Sequence, residues 1–202
     1  MSRLIAGMNW KDPFLTKTPK PRRPEQTRLA LMAAAAKEIE RHGYEGTNSN
    51  KIAKEAGYAP QTFYRHFENK LQIFLALYQE WGEQSGNTLD DTRDANDAAL
   101  FLVGHHKKFL NFRRALRHLA IVEPDVRSAR AMSRLNQVEY IKKRLSHLAK
   151  ASSQKLLVNL LQIERLADAY AEREFADLGI SEEFALAELA RLIQSAFGLH
   201  SN

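Results

Sequence analysis

The chain has 202 residues, no cysteine and a formal net charge of +6. That length suits one compact domain or two small ones, and the missing thiols exclude disulfides, thiolate metal sites and cysteine nucleophiles. No run approaches the ~18 apolar residues of a membrane span, so a cytoplasmic protein with no membrane partner is expected.

Residues 1–24 read as a basic, Pro-containing arm: Pro13, Pro19, Pro21 and Pro24 forbid a long helix, and KTPKPRRP is basic with no acidic residue. From Pro24 the spacing of Leu29, Met32, Ala33, Ala36 and Ile39 predicts a one-faced helix that Gly43 closes. Asn48 is the expected N-cap of a short helix burying Ile52, Ala53 and Ala56, and Gly57 ends it. Pro60 opens a third helix, with Phe63 and Phe67 on one face. Leu71, Phe74, Leu75, Tyr78 and Trp81 form the next stripe, and the polar stretch 85–97 reads as a loop. Leu100, Val103, Phe109, Leu110 and Leu116 lie in one long helical region interrupted at Pro124, and three more helical runs follow over about 127–149, 154–178 and 182–199. The expected fold class is all-α: an N-terminal three-helix domain with a helix-turn-helix over 25–70, then a larger helical bundle over 71–202.

Charge divides the chain in the same place. Residues 1–70 carry 13 Lys and Arg against 7 Asp and Glu, while 71–202 hold 17 of each. A polyanion-facing module joined to a neutral one fits that asymmetry. Within the basic part, KIAKEAGYAPQTFYRHFENK mixes three aromatics with basic and amide side chains. A helix-turn-helix accounts for the mixture. One face of the second helix packs inward through Phe63 and Phe67, and the opposite face enters a major groove. Gln61, Thr62 and Arg65 fall on the outer face, with Tyr64, His66 and Lys70 flanking it toward phosphates. Arg matches guanine bidentately and Gln matches adenine.

Residues 25–74 resemble the DNA-binding domain of the TetR family of bacterial transcriptional regulators. The likeness runs from HGYEGTNSNKIAKEAG through YAPQTFYRHFENKLQIF, and Thr62, Phe63, Tyr64, Phe67 and Lys70 match the family's T-hydrophobic-Y-x-x-F-x-x-K core. The resemblance implies a homodimer that binds a palindromic operator in double-stranded DNA and is released when a small-molecule effector occupies the C-terminal bundle. It further implies that Ser49 and Tyr64 meet phosphate, Asn50 touches bases, Thr62 touches a base or a phosphate, and Lys70 meets the backbone. Two positions depart from the pattern: Ala59 stands where Ser or Thr is common, and Pro60 offers no donor.

Other candidates are sparse. Phe101, His105, Phe109, Phe112, Tyr140 and Tyr170 could line a ligand cavity, although core packing alone explains most of them. His105 and His106 diverge by about 100° on a helix, so they cannot share a metal; no metal and no cofactor are expected, and no catalytic motif is present. Arg113, Arg114 and Arg117 read most simply as a solvated face, with the mouth of an anion-binding pocket as the alternative. Leu186, Leu189, Ile193 and Phe197 make a stripe that suggests a homodimer through the last two helical runs. The expected function is a ligand-released repressor, not an enzyme. The rival readings are an architectural binder without sequence choice, and a helical small-molecule-binding protein or enzyme.

Overall fold

A computed structural model of the chain describes residues 23–85 and 92–199. The expected arm therefore lies outside the described residues except for Arg23 and Pro24, as do six residues of the polar stretch 85–97. Among the described residues there are ten α-helices and no strand, as the all-α expectation requires: α1 Arg23–His42, α2 Ser49–Glu55, α3 Pro60–Tyr64, α4 Lys70–Ser85, α5 Ala95–Lys108, α6 Leu110–Val122, α7 Pro124–Arg144, α8 Ser153–Ala171, α9 Glu174–Asp177 and α10 Glu182–Phe197. They fall into two compact units. One holds the described residues up to 85 together with 111–129; the other holds the described residues of 86–110 and 130–202. The unit containing α1–α3 thus runs past residue 70 and takes in α4 and α6.

In this first unit α1 buries Leu31, Met32, Ala35, Glu38 and Ile39. That face is turned from the expected one: Leu29 is exposed, and Ala33 and Ala36 are half-buried. Alanine is too weakly apolar to set the phase, so Leu31 decides it. Ile52 and Ala53 of α2, Phe63 of α3, and Ile73, Phe74 and Leu77 of α4 complete the core. Aromatic rings extend it: Tyr44 meets Phe74 edge-on at 5.3 Å, Phe74 stacks on Phe112 at 4.7 Å, and Phe112 meets Trp81 at 5.7 Å. Such pairs add about 0.5–1.5 kcal/mol each beyond their buried area. Arg113 lies 5.6 Å from the Trp81 ring and is buried, which corrects the reading of its run as wholly solvated.

The long region expected up to Pro124 is two helices. It breaks at Phe109, where φ is −112° and ψ is 37°, with neither Pro nor Gly to announce it. The break works because α6 finds an N-terminal partner far away in sequence. Glu40 of α1 accepts from the backbone N–H of Phe112 at 2.7 Å and of Asn111 at 3.4 Å, while the Asn111 amide donates to the Glu40 carbonyl at 2.7 Å. Helix starts leave four N–H groups unpaired, and a carboxylate there is favoured by the dipole.

The second unit is built on α5, α8 and α10, which pack on one another. Ala99, Ala167, Ala185 and Ala190 sit in their core and let the helices approach closely. Ser181 caps α10 by accepting from the Phe184 N–H, and Gly198 ends it in the left-handed conformation. Leu189, Ile193 and Phe197 are buried in this core. That corrects their expected exposure toward a second copy, because α10 is covered on two sides within its own chain. Apolar side chains left open on α8 and α10 are Val158, Leu161 and Phe184. The run 154–178 is also two helices, divided where Arg173 takes φ +65°. No described helix is long and apolar enough to cross a membrane.

Candidate nucleic-acid interface

Helix α2 starts where the sequence predicts: the Asn48 side chain accepts from the Lys51 N–H at 3.0 Å. The turn before it needs glycine at position 46, since a Cβ there would stand 2.2 Å from the His42 carbonyl oxygen. After α2, Gly57 takes φ +76°, the left-handed residue that the helix-turn-helix requires. Ala59 then precedes α3 with no side-chain cap. Pro60 at the first position lowers the cost, because it has no N–H to leave unpaired.

Helix α3 has only five residues, yet the spiral continues: the Phe67 N–H still donates to the Phe63 carbonyl at 2.9 Å. Phe63 and Phe67 are fully buried. Turning them inward sends Gln61, Tyr64 and Arg65 outward, all three exposed, with Thr62 and His66 half-buried at the edges. Asn50, on α2, is exposed as well. Ser49 and Tyr64 meet through their hydroxyls at 2.7 Å, which joins the first residue of α2 to the last of α3. Tyr64 is 57% exposed, so this pair faces solvent with donor capacity to spare. The Ser49–Tyr64 pair thus joins α2 to α3 at an exposed edge.

Lys70 sits differently. Its ammonium donates to the Tyr44 carbonyl at 2.7 Å and lies 3.8 Å from the centroid of the Tyr44 ring. Burial pulls its pKa below the ordinary lysine value, against a smaller upward pull from Glu45. Tyr44 in turn is pushed up to about 12, by burial first and then by Glu45 and Glu123. Asn69 caps α4 by accepting from the Gln72 N–H at 2.9 Å, and the Gln72 side chain accepts from the Glu68 N–H at 2.7 Å. The link from α3 to α4 is therefore closed at both ends.

The expected ligand-lining residues are spread over several elements. Phe101 and His105 lie on α5 and Phe109 at the break after it, with successive ring centroids 6.3 and 4.9 Å apart. Tyr140 is half-buried on α7. The Tyr170 hydroxyl donates to Glu182 at 3.2 Å, and Lys107 lies 4.6 Å from its ring centroid. Phe112 belongs to the other unit, stacked on Phe74. One polar feature escaped sequence reading: His106 and Asp168 are 1% and 3% exposed, with Nδ1 and Oδ1 2.8 Å apart between α5 and α8. Nothing in LADAY marks that aspartate as buried.

Residues 31–77 match the family model described as bacterial regulatory proteins, tetR family. The chain is 38% identical over 61 residues to the fatty acid metabolism regulator protein of Bacillus subtilis, a stretch that spans 30% of each protein. A protein assigned to the TetR-family transcriptional regulators, from Rhodococcus sp., has a similar fold, with TM-score 0.61 and 21% identity over 86% of this chain and 99% of that one. The transcriptional regulator FadR of Bacillus subtilis, in complex with stearoyl-CoA, is similar with TM-score 0.55 and 19% identity over 85% of this chain and 99% of that one.

Proposed function

We propose that this chain, which carries the DNA-binding domain of the TetR family of bacterial regulatory proteins over residues 31–77, is a sequence-specific transcriptional repressor released by a small molecule. The observation that carries the reading is the outward set on α2 and α3. Gln61 and Arg65 are exposed, with Thr62 beside them, and the inward anchors Phe63 and Phe67 fix their direction. Gln61, Thr62 and Arg65 read base edges in this proposal, with Asn50 at the rim. Ser49 and Tyr64 hold phosphate oxygens, and His66 lies beside them. A homodimer presents two such surfaces to a palindrome with half-sites about one helical turn apart. The second copy seats on Val158, Leu161 and Phe184, the open apolar positions of α8 and α10.

An architectural binder would hold all duplexes alike. Selection from random duplexes distinguishes the two: a regulator enriches one short palindrome, with preference of ~10³ or more over random DNA. Failure to enrich any site removes the reading. The effector is sought by native mass spectrometry of the purified protein, with stearoyl-CoA as the first probe because a regulator of similar fold holds it. Binding between effector and operator must be coupled equally in both directions. An effector that leaves operator affinity unchanged makes the chain a carrier instead.

A further inference from the structure

We propose that Lys70 serves DNA binding as a positioning residue that clamps the α1–α2 turn onto α4, rather than as a phosphate contact. The proposal rests on the reading of α2 and α3 as an operator-binding surface.

Its geometry is specific. The Tyr44 carbonyl already accepts from the Thr47 N–H at 3.2 Å, and the Lys70 ammonium takes its second lone pair at 2.7 Å. The same ammonium lies 3.8 Å from the Tyr44 ring centroid, against its negative face. Phe74, one turn further along α4, meets that ring edge-on at 5.3 Å. Helix α4 therefore holds the turn at backbone and ring together. The turn in question runs directly into Asn48, the cap of α2. Where Tyr44 is held decides where α2 begins, and so where Ser49 meets Tyr64.

A lysine at the first position of a helix is repelled by the helix dipole, and half-burial costs its charge some hydration. Those costs are offset by the carbonyl and the ring. A phosphate would compete with the Tyr44 carbonyl and ring for the same ammonium.

Two substitutions separate the roles: Lys70→Gln, which removes the charge, and Tyr44→Leu, which removes the ring but keeps both the charge and the backbone carbonyl. Unfolding in urea is measured for each single and for the double variant. Anisotropy is measured on the selected operator and a random duplex at several salt concentrations. The clamp predicts that each variant weakens operator binding about three- to tenfold, that the double variant is hardly weaker than either single one, and that the slope of log K against log salt stays at the wild-type value. A phosphate contact predicts the reverse: Lys70→Gln lowers the slope by roughly 1, Tyr44→Leu keeps or raises affinity, and the two effects add. That outcome overturns the proposal. If Lys70→Gln does not fold, Tyr44→Leu and Tyr44→Phe decide alone, since the clamp requires loss in the first and near wild-type affinity in the second. Wild-type protein that prefers no duplex sinks the operator reading itself, and this role with it, and is told apart by needing no variant.

Discussion

Arg65 shows how much direction a buried pair of aromatics can impose. It follows the last residue of α3, yet its own backbone is helical, with φ −76° and ψ −19°. It therefore stays in register with Gln61 one turn earlier. A guanidinium there reaches further than the Thr62 hydroxyl and forks to match guanine. Arg65→Ala should cost about 1–3 kcal/mol on the preferred operator and much less on random DNA, relaxing choice at one base pair. Anisotropy with both duplexes reads this directly. Equal weakening on both would make Arg65 a phosphate contact, leaving base reading to Gln61, Thr62 and Asn50. Ala59 bears on the same scale: without a capping side chain, the start of α3 depends on Pro60 and on its inward anchors.

At the scale of elements, the least expected tie is Glu40 to the first turn of α6. Burial holds its pKa above the ordinary 4.5, against hydrogen bonds from Phe112 and Asn111 that pull it down. A raised folded value means the folded protein keeps the proton longer. The contribution is complete below the unfolded pKa and is lost as pH rises through the folded one. Glu40→Gln should therefore flatten the stability profile just above pH 4.5. Glu40→Ala should cost about 1–3 kcal/mol at neutral pH by orphaning the Phe112 N–H. Urea unfolding across a pH series tests both, and an unchanged profile in the Gln variant refutes the assignment. The homodimer is a question about helices too. Leu161 is open on α8, whereas Ile193 is sealed in the core of α10. Leu161→Asp should give folded monomers in sedimentation, while Ile193→Asp should unfold its unit, since an unpaired buried charge is costly. A dimer that survives Leu161→Asp places the interface elsewhere.

Over the whole molecule, what could be read from sequence was what local chemistry dictates. Asn48, Gly57, Pro60 and Ser181 act where their side chains or φ angles require, and Phe63 with Phe67 fixed the outward face in advance. Partners distant in sequence were not legible. The break at Phe109 depends on Glu40, the burial of His106 on Asp168, and the seat of Lys70 on Tyr44. Charge is a whole-chain property that needs no partner to be read: the entire excess of +6 lies in residues 1–70. Lys17, Lys20 and Arg22 precede α1 in sequence. Basic arms bind along phosphates or in the minor groove, and each phosphate neutralised adds about 0.9 to the slope of log K against log salt. Removing residues 1–22, which keeps Arg23 as the first residue of α1, should weaken operator and random duplex by similar factors. It should also make the salt dependence shallower, by roughly 0.9 in slope for every phosphate the arm no longer neutralises. Anisotropy from low to moderate salt separates the outcomes. A preference that weakens at the outer base pairs alone would show the arm reading a minor groove. Unchanged affinity and slope would show that the positive excess acts through Lys51, Lys54 and Arg65 without the arm.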